Sequence, residues 1–571
     1  MPEQELIIEF DHYGFQYHAQ AAPTLRDISL SIRKGEKILI LGPSGCGKST
    51  LVHAMNGLIP HSIKGEQTGR VTVLGTDTRE ADLSELSMHV GTVLQDTDGQ
   101  FVGMTVAEDI AFALENQCVR EPELHERVLH AAKIVHIEDH LQHAPEDLSG
   151  GQKQRVSMAG VLVDQVELLL FDEPLANLDP ATGKEAIELI DELQKKTGAA
   201  VVIVEHRLED ALHRDVDRII LMQEGRIVFD GPADQLLSMK LLSEAGIREP
   251  LYITALKYAG VPIRAEMRPH SIAELQLSDA ERQKVRDWFL SVEDRKKTTE
   301  EPWLLQTENL SFSYPNGFPA LRSVNFSIRK GEIVAIVGKN GAGKSTFSKV
   351  VCGFEKESGG RLLFEGEPME GLSIKERADR IAYVMQNPNQ MICKTMIREE
   401  LSFGLQLRGF SQEEIDRRTE EALRVCGLWP FRNWPVSALS FGQKKRLTVA
   451  SMLVMEPKLL ILDEPTAGQD YRHYTEIMEF LNGLRSRGIT IIMITHDMHL
   501  MLEYADRAVV FCDGRVIADT TGAEVLTDRS VIAQANLKET SLYTLADRVG
   551  LLEPRAFVQR FIDYDREVNG R

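Results

Sequence analysis

The chain is 571 residues long, 43% hydrophobic and 26% charged, with a formal net charge of −21 at pH 7. That length is too great for one hydrophobic core, and so acidic a balance argues against nucleic acid as a partner, because phosphates want a basic field. The six cysteines (Cys46, Cys118, Cys352, Cys393, Cys426, Cys512) form no C-x-x-C pair and no zinc spacing, which argues against a disulfide framework and fits a reducing cytoplasm.

Met1-Pro2-Glu3-Gln4-Glu5 opens the chain without an apolar signal core. Nowhere do about 18 apolar residues run consecutively, so the chain is expected to reach a membrane only through a partner that crosses one. Lys37-Ile38-Leu39-Ile40-Leu41 reads as a strand and Thr50-Leu51-Val52-His53-Ala54 as helix. Between them stands Gly42-Pro43-Ser44-Gly45-Cys46-Gly47-Lys48-Ser49, the pattern G-x-x-x-x-G-K-[ST] in its strand–loop–helix context. Its glycines let backbone N–H groups turn inward around phosphate oxygens at the positive end of a helix dipole. Lys48 adds a point charge for the β- and γ-phosphates, and the Ser49 hydroxyl a ligand for Mg²⁺. Next come a β-branched run at Arg70-Val71-Thr72-Val73 and a polar, helix-like segment from Arg120 to His140. Leu148-Ser149-Gly150-Gly151-Gln152 then leads into helical Lys153 to Gly160, and offers a second phosphate cradle at another helix N-terminus. Leu168-Leu169-Leu170-Phe171-Asp172-Glu173 is a buried strand ending in two carboxylates. At the carboxyl end of a parallel strand these face the ligand crevice. Asp172 would organise Mg²⁺, and Glu173 would orient and deprotonate the attacking water. Ala200-Val201-Val202-Ile203-Val204 is one more buried strand.

All of this then repeats. Ser31-Ile32-Arg33-Lys34-Gly35-Glu36 recurs letter for letter as Ser327-Ile328-Arg329-Lys330-Gly331-Glu332, and the same offset of 296 takes Lys48 to Lys344. The second phosphate loop is Gly338-Lys339-Asn340-Gly341-Ala342-Gly343-Lys344-Ser345. An offset of 291 takes Gln95 to Gln386, Ser149 to Ser440 and Asp172 to Asp463, and 290 takes His206 to His496. Leu459-Leu460-Ile461-Leu462-Asp463-Glu464 is the second carboxylate strand, followed by a β-branched run at Ile489-Thr490-Ile491-Ile492-Met493. Strands alternating with helices imply an α/β fold with a largely parallel sheet. Leu251-Tyr252-Ile253-Thr254-Ala255-Leu256 resembles Leu542-Tyr543-Thr544-Leu545-Ala546, so each copy is expected to carry a small helical appendage. The expected organisation is therefore two ATPase-like domains, 1–231 and 303–522, with appendages at 232–290 and 523–571. The linker is placed at 291–302, a charged stretch with Arg295-Lys296-Lys297 and Glu300-Glu301.

One copy needs only one phosphate cradle, so the second makes sense if it serves the nucleotide held by the other copy. With the phosphate loop, the Asp-Glu strand and a following histidine, both halves resemble the nucleotide-binding domain of the ATP-binding cassette (ABC) family. The resemblance implies an α/β P-loop fold in tandem, each copy with a helical subdomain and an antiparallel edge sheet. It implies ATP and Mg²⁺ as ligands, and roles for further residues. Gln95 and Gln386 match the glutamine loop that senses the γ-phosphate and assists at Mg²⁺, and His206 and His496 the switch histidine. Tyr17 and Tyr314 match the aromatic that stacks on adenine, and Asp179 and Asp470 the aspartate loop. Thr50 and Thr346 extend the two phosphate loops. If the halves close head to tail, site one combines Lys48, Ser49, Gln95, Asp172, Glu173 and His206 with Ser440, Gly442 and Gln443. Site two combines Lys344, Ser345, Gln386, Asp463, Glu464 and His496 with Ser149, Gly150, Gly151 and Gln152. The copies depart from each other twice: Phe441 replaces a signature glycine, and Ala467-Gly468-Gln469-Asp470 replaces Ala176-Asn177-Leu178-Asp179. Both sites keep their carboxylate and histidine, so two competent sites of unequal rate are expected.

The stretch from Asp98 through Phe101-Val102-Gly103-Met104-Thr105 to Phe112 resembles that of the energy-coupling-factor (ECF) group, importers of vitamins and of metal ions such as cobalt or nickel. The second copy keeps a looser version at Asn389-Gln390-Met391-Ile392 to Phe403-Gly404. The resemblance implies an energy-supplying subunit at the cytoplasmic face of the cell membrane. Its partners would be a T-type transmembrane scaffold and a separate substrate-binding membrane subunit. Two cassettes fused in one chain also resemble the thiamine-precursor (hydroxymethylpyrimidine) type. The alternatives are a soluble tandem ATPase acting on ribosomes or DNA, and an exporter half with a separate membrane part. Ribosome-acting relatives carry a basic linker, whereas residues 231–301 hold 11 Lys/Arg against 12 Asp/Glu.

Overall fold

The computed structural model describes residues 5–95, 98–164, 166–176, 178–292, 301–467 and 469–569. It divides into two compact units, Met1–Val285 and Arg286–Arg571. The first begins with β1 (Leu6–Tyr17) paired antiparallel to β2 (Leu25–Arg33), then β3 (Lys37–Leu41), every residue of which is buried. The phosphate loop leads into α1 (Lys48–Met55). β4 (Gly65–Val73) and β5 (Thr76–Asp77) complete an antiparallel edge sheet in the order β2-β1-β4-β5. After β6 (Val90–Val93), helices α2 (Val106–Asn116), α3 (Glu123–Ile134) and α4 (Gly150–Leu162) pack on one another as a helical subdomain. The polar segment read as helical from Arg120 to His140 is α3 followed by a short 3₁₀ turn at Glu138–His140. β7 (Leu168–Asp172), α5 (Pro180–Thr197), β8 (Ala200–Val204), β9 (Arg218–Gln223) and β10 (Arg226–Gly231) follow. The six-stranded sheet runs β10-β9-β3-β8-β7-β6, parallel except at the β9–β10 edge.

The alternation of side chains explains why these strands are apolar throughout. Leu39, Leu41, Leu169, Phe171, Val201 and Ile203 face the core shared with the helical subdomain. Ile38, Ile40, Leu168, Leu170, Val202 and Val204 face the core shared with the edge sheet. Because the strands are parallel, the loops after β3, β7 and β8 leave the sheet at one edge, as a ligand crevice requires. Helices α6 (Leu251–Tyr258) and α7 (Asp279–Ser291) form the body of the appendage, and the division between units falls within α7.

The second unit repeats this plan. β11 (Trp303–Ser313), β12 (Pro319–Arg329), β13 (Ile333–Val337), α8 (Lys344–Cys352), β14 (Gly359–Phe364), β15 (Glu367–Pro368) and β16 (Ile381–Val384) come first. Its subdomain holds α9 (Ile397–Leu407), α10 (Gln412–Val425) and α11 (Phe441–Leu453). β17 (Leu459–Asp463), α12 (Tyr471–Arg485), β18 (Thr490–Ile494), α13 (Met498–Tyr504), β19 (Arg507–Cys512) and β20 (Arg515–Thr520) complete the sheet β16-β17-β18-β13-β19-β20. In its appendage α14 (Ser541–Arg548) packs on α15 (Pro554–Val568). Trp288 at the end of α7 meets Phe557 and Tyr564 edge-on, at 5.7 and 5.5 Å between ring centroids. Residues 293–300 of the expected linker, with Asn177 and Gly468, lie outside the described residues. No described helix is long and apolar enough to cross a membrane.

Candidate functional site

Each phosphate loop is built for an anion. α1 and α8 start at Gly47 and Gly343, with φ of 107° and 102°, and neither start has a side-chain cap. Their first N–H groups, which have no partner within the helix, are thus left to a ligand at the positive end of the dipole. The helices α4, α5, α11 and α12 contrast with them, since Ser149, Asp179, Ser440 and Asp470 cap their ends. Lys48 is buried, and its ammonium donates to the carbonyls of Gly42 and Pro43 at 2.8 and 3.1 Å. Lys344 donates in the same way to Gly338 and Lys339, at 2.7 and 3.0 Å. Open space lies beside Gly45 and Gly341, where an added Cβ meets nothing within 4 Å.

Opposite the loops stand the carboxylates. Asp172 accepts from the Ser49 hydroxyl, and Asp463 from the Ser345 hydroxyl. Burial and the neighbouring Glu173 charge push the Asp172 carboxyl up to about 6, against the pull of Ser49, Lys48 and His206. Burial likewise raises Asp463, opposed first by a hydrogen bond from the Tyr383 hydroxyl at 2.8 Å. A carboxylate so desolvated, beside a hydroxyl, suits a divalent cation, so both donor sets fit Mg²⁺. Glu173 and Glu464 have left-handed backbones, with φ of 50° and 47°, a strain that functional sites tend to retain. Glu173 is hydrogen-bonded by the Gln95 amide at 2.7 Å and lies 2.8 Å from His206 Nε2. Burial would raise Glu173, but its bond to His206 and the charges of His206, Lys48 and Arg207 hold it below the usual range. Glu464 lies 2.7 Å from His496 Nδ1. The structure therefore brings Lys48, Ser49, Gln95, Asp172, Glu173 and His206 together within the first unit. In the second it joins Lys344, Ser345, Asp463, Glu464 and His496, and Gln386 follows β16.

The remaining predicted residues are held by their own elements. Ser149 and Gln152 form a reciprocal capping box on α4, as do Ser440 and Gln443 on α11. Gln152 also reaches His140, Nε2 to Nε2 at 3.0 Å. A Cβ at Gly151 would come 2.5 Å from Thr182 Cγ2, so a side chain there would have to displace Thr182. Asp179 and Asp470 are buried N-caps that accept from the backbone of Thr182 and His473. The Tyr17 and Tyr314 hydroxyls each lie 3.0 Å from the side-chain oxygen of Thr50 and Thr346, tying the aromatic to the phosphate-loop helix.

Four residues around Glu173 and Glu464 and the strands that carry them escaped the sequence reading. Glu205, fully buried, accepts the backbone N–H groups of Leu175, His206 and Arg207. Tyr383 bonds to Asp463, whereas Thr92 at the matching position pairs with Asn56 at 3.2 Å. Lys445, also buried, donates to the carbonyls of Glu464 and Pro465 at 2.7 and 3.0 Å, and Gln154 donates to Pro174 at 2.6 Å. The repeat itself carried the signal: a charge at 205 against Thr495, and another at 445 against Gln154. Elsewhere Asp215, His270 and Glu274 converge within 4.8 Å, but the Arg268 guanidinium lies 2.5 Å from Glu274 and neutralises it.

The chain is similar to known proteins along nearly all of its length. A family model described as "ABC transporter" matches residues 25–176 and 321–467, and one described as "ATP-binding cassette cobalt transporter" matches 239–312. A putative ABC transporter ATP-binding protein of Clostridium perfringens (strain 13 / Type A) is 57% identical over 564 residues, 99% of each chain. One from Enterococcus faecalis is 56% identical over 563 residues, covering 98% of this chain and 99% of its own. One from Vibrio vulnificus (strain CMCP6) is 50% identical over 562 residues, 98% of each. A solved structure, cbiO1 from Clostridium perfringens, part of the ABC transporter complex cbiONQ, is 39% identical. It covers 41% of this chain and 95% of its own, with a TM-score of 0.39.

Proposed function

Since the chain belongs to the ABC transporter ATP-binding family and is an ATPase with two cassettes in tandem, we propose that it powers an ECF-type importer. The observation that carries this reading is the match of residues 239–312 to a model described as an ATP-binding cassette cobalt transporter. It covers most of the first appendage, and continues through the linker into β11 of the second cassette. An exposed apolar ridge beside the glutamine loop supports the same reading. Val102, Met104 and Phe112 are 64, 83 and 46% exposed. Asp109 pins their loop by accepting the N–H groups of Val102 and Gly103 at 2.8 and 3.1 Å. In the second cassette Glu400 pins the equivalent loop through Cys393 and Lys394, and the Lys394 ammonium covers the Phe403 ring.

In this reading the phosphate loops bind the triphosphate through the open N–H groups of α1 and α8, with Lys48 and Lys344 turning from loop carbonyls to phosphate oxygens. Mg²⁺ would be held by Ser49 and Asp172, and by Ser345 and Asp463, with Gln95 and Gln386 beside it, and would neutralise charge on the β- and γ-oxygens. Glu173 and Glu464 orient the attacking water and take its proton. His206 and His496, bonded to those carboxylates, are the groups that then donate to the γ-phosphate. If the two cassettes close head to tail on ATP, Ser440, Gly442 and Gln443 would complete the first site, and Ser149, Gly150, Gly151 and Gln152 the second. The cargo is a vitamin, a thiamine-type precursor, or a metal ion such as cobalt or nickel, chosen by a separate membrane subunit. The work would be done at the cytoplasmic face of the cell membrane, on a T-type scaffold. Purification of the tagged chain from detergent-solubilised membranes tests this. Recovery of an integral scaffold with a second membrane protein is expected. Recovery of ribosomal or DNA-repair proteins, with nothing membrane-embedded, would overturn it.

A further inference from the structure

The loop that carries the catalytic carboxylate is anchored in both units, but from opposite sides and by different groups, a carboxyl in one and an amine in the other. In the first, Glu205 Oε1 accepts from Leu175 N at 2.9 Å, two residues beyond Glu173. Its other oxygen accepts from His206 N at 2.9 Å and Arg207 N at 3.2 Å. One carboxylate thus ties the loop after β7 to the backbone of the switch histidine. It is only 2% exposed, a costly place for an anion unless those three N–H groups require it. On the other side, neutral Gln154 donates to Pro174 O. In the second unit the matching position is Thr495, whose hydroxyl donates to the Glu464 carboxylate itself at 3.3 Å and accepts from Asp497 N. The charge sits on the other wall, where Lys445 donates to the carbonyls of Glu464 and Pro465.

We propose that Glu205 is a positioning residue for ATP hydrolysis in the first cassette, setting His206 against Glu173, and that Lys445 does the corresponding work on Glu464 in the second. A carboxylate spanning two loops couples their motion, so His206 and Glu173 move as one unit. A lysine on the carbonyls fixes the catalytic loop without touching the backbone of His496, which meets that loop only through its own ring and its neighbour Thr495. The two sites then differ in what holds the base while sharing the base itself.

The test uses the full chain with Glu464→Gln, so that turnover reports the first site, or the otherwise native chain if that background is inactive. Glu205→Thr, which installs the residue native to the second cassette, is expected to lower kcat about tenfold with KM for ATP within about twofold. Glu205→Asp, which is too short to span both loops, is expected to fall in between. In a His206→Ala background the same Glu205→Thr change is expected to add less than about twofold, since coupled residues are not additive. An unchanged kcat for Glu205→Thr, a loss confined to KM, or full additivity with His206→Ala would each overturn the proposal. Thermal unfolding of each variant separates this from simple destabilisation, because a fold that melts early loses kcat in the His206→Ala background too. For Lys445, the expected result is a kcat loss for Lys445→Met in a Glu173→Gln background that Lys445→Gln largely restores. A Gln variant as slow as Met would overturn that half.

Discussion

The two units share a fold, a phosphate loop and a strand-end glutamate proposed as the base, and differ in the residues that surround that glutamate. In the first, Glu173 is held by Gln95 and His206, with the buried Glu205 carboxyl on the histidine's backbone. In the second, Glu464 is held by His496 and Thr495, with the Lys445 cation behind it and Tyr383 on the neighbouring Asp463. The repeat thus keeps the residues proposed to touch phosphate and lets their supports differ. A site's chemistry constrains the first kind of residue tightly, whereas a loop can be anchored in more than one way.

The largest test of that comparison is removal of each base. Glu173→Gln together with Glu464→Gln is expected to cut steady-state ATP turnover by about 100-fold or more. Singly, Glu464→Gln should cost more than Glu173→Gln, because the Lys445 cation backs Glu464 where neutral Gln154 stands behind Glu173. Equal losses from the two single variants would remove the case for unequal sites. Next in size is Tyr383→Phe. It deletes the hydroxyl that orients Asp463, and orienting partners of metal ligands are typically worth about tenfold or more in affinity. The Mg²⁺ concentration for half-maximal turnover should rise by about that factor in a Glu173→Gln background. Thr92→Ala, whose hydroxyl pairs with Asn56 instead, should leave it unchanged in the Glu464→Gln background.

Lys445 sharpens the comparison through pH. Burial lowers its amine from 10.5 to about 8, opposed by Glu464 and Asp463. The unfolded chain keeps that proton up to its higher ordinary value. Between the two values the unfolded state therefore binds more protons, and stability rises with pH through that window. The penalty is full below about pH 8 and gone above the ordinary lysine range. Lys445→Gln, which copies Gln154, should thus be more stable than the native chain near pH 7.5. The gap should shrink by up to about 3 kcal/mol as pH approaches 10. Thermal unfolding at stepped pH reads it, and a gap independent of pH would show that the lysine is not buried in its charged form.

What could be read in the sequence follows the same division. Gly42–Ser49, Ser149–Gln152 and Asp172-Glu173 are local patterns whose chemistry dictates both residue type and spacing, and β3 and β7 end where those patterns place them. Glu205 and Lys445 were not read as functional, because each acts through backbone groups distant in the chain. Leu175 lies thirty residues from Glu205, and Glu464 nineteen from Lys445. Tyr383 was missed for the same reason, standing eighty residues from Asp463. The adenine-stacking role of Tyr17 rests on the resemblance alone. Its ring packs edge-on against Phe15 at 4.9 Å and its hydroxyl meets Thr50, a contact that no local pattern announces.

Phe441 should matter least, and geometry says why. The two signature glycines are not equivalent. At Gly150 an added Cβ would meet only Leu178 Cδ2, at an ordinary 3.7 Å, whereas at Gly151 it would strike Thr182. The first position therefore tolerates a side chain, and at that position the second cassette carries Phe441, 43% exposed at the start of α11. The Ser440–Gln443 capping box forms regardless, so the open end of the helix is not spoiled. Phe441→Gly should then change turnover in the Glu464→Gln background by no more than about threefold. Stability should fall by about 0.5–1 kcal/mol, the usual cost of glycine in a helix. Gly151→Ala, by contrast, must push Thr182 aside next to the buried Asp179 cap, and should cost more than Gly150→Ala on both counts. Were the order reversed, the departure at Phe441 would have to act on the nucleotide directly, and the asymmetry of the two sites would lie in the signature and not behind the catalytic carboxylates.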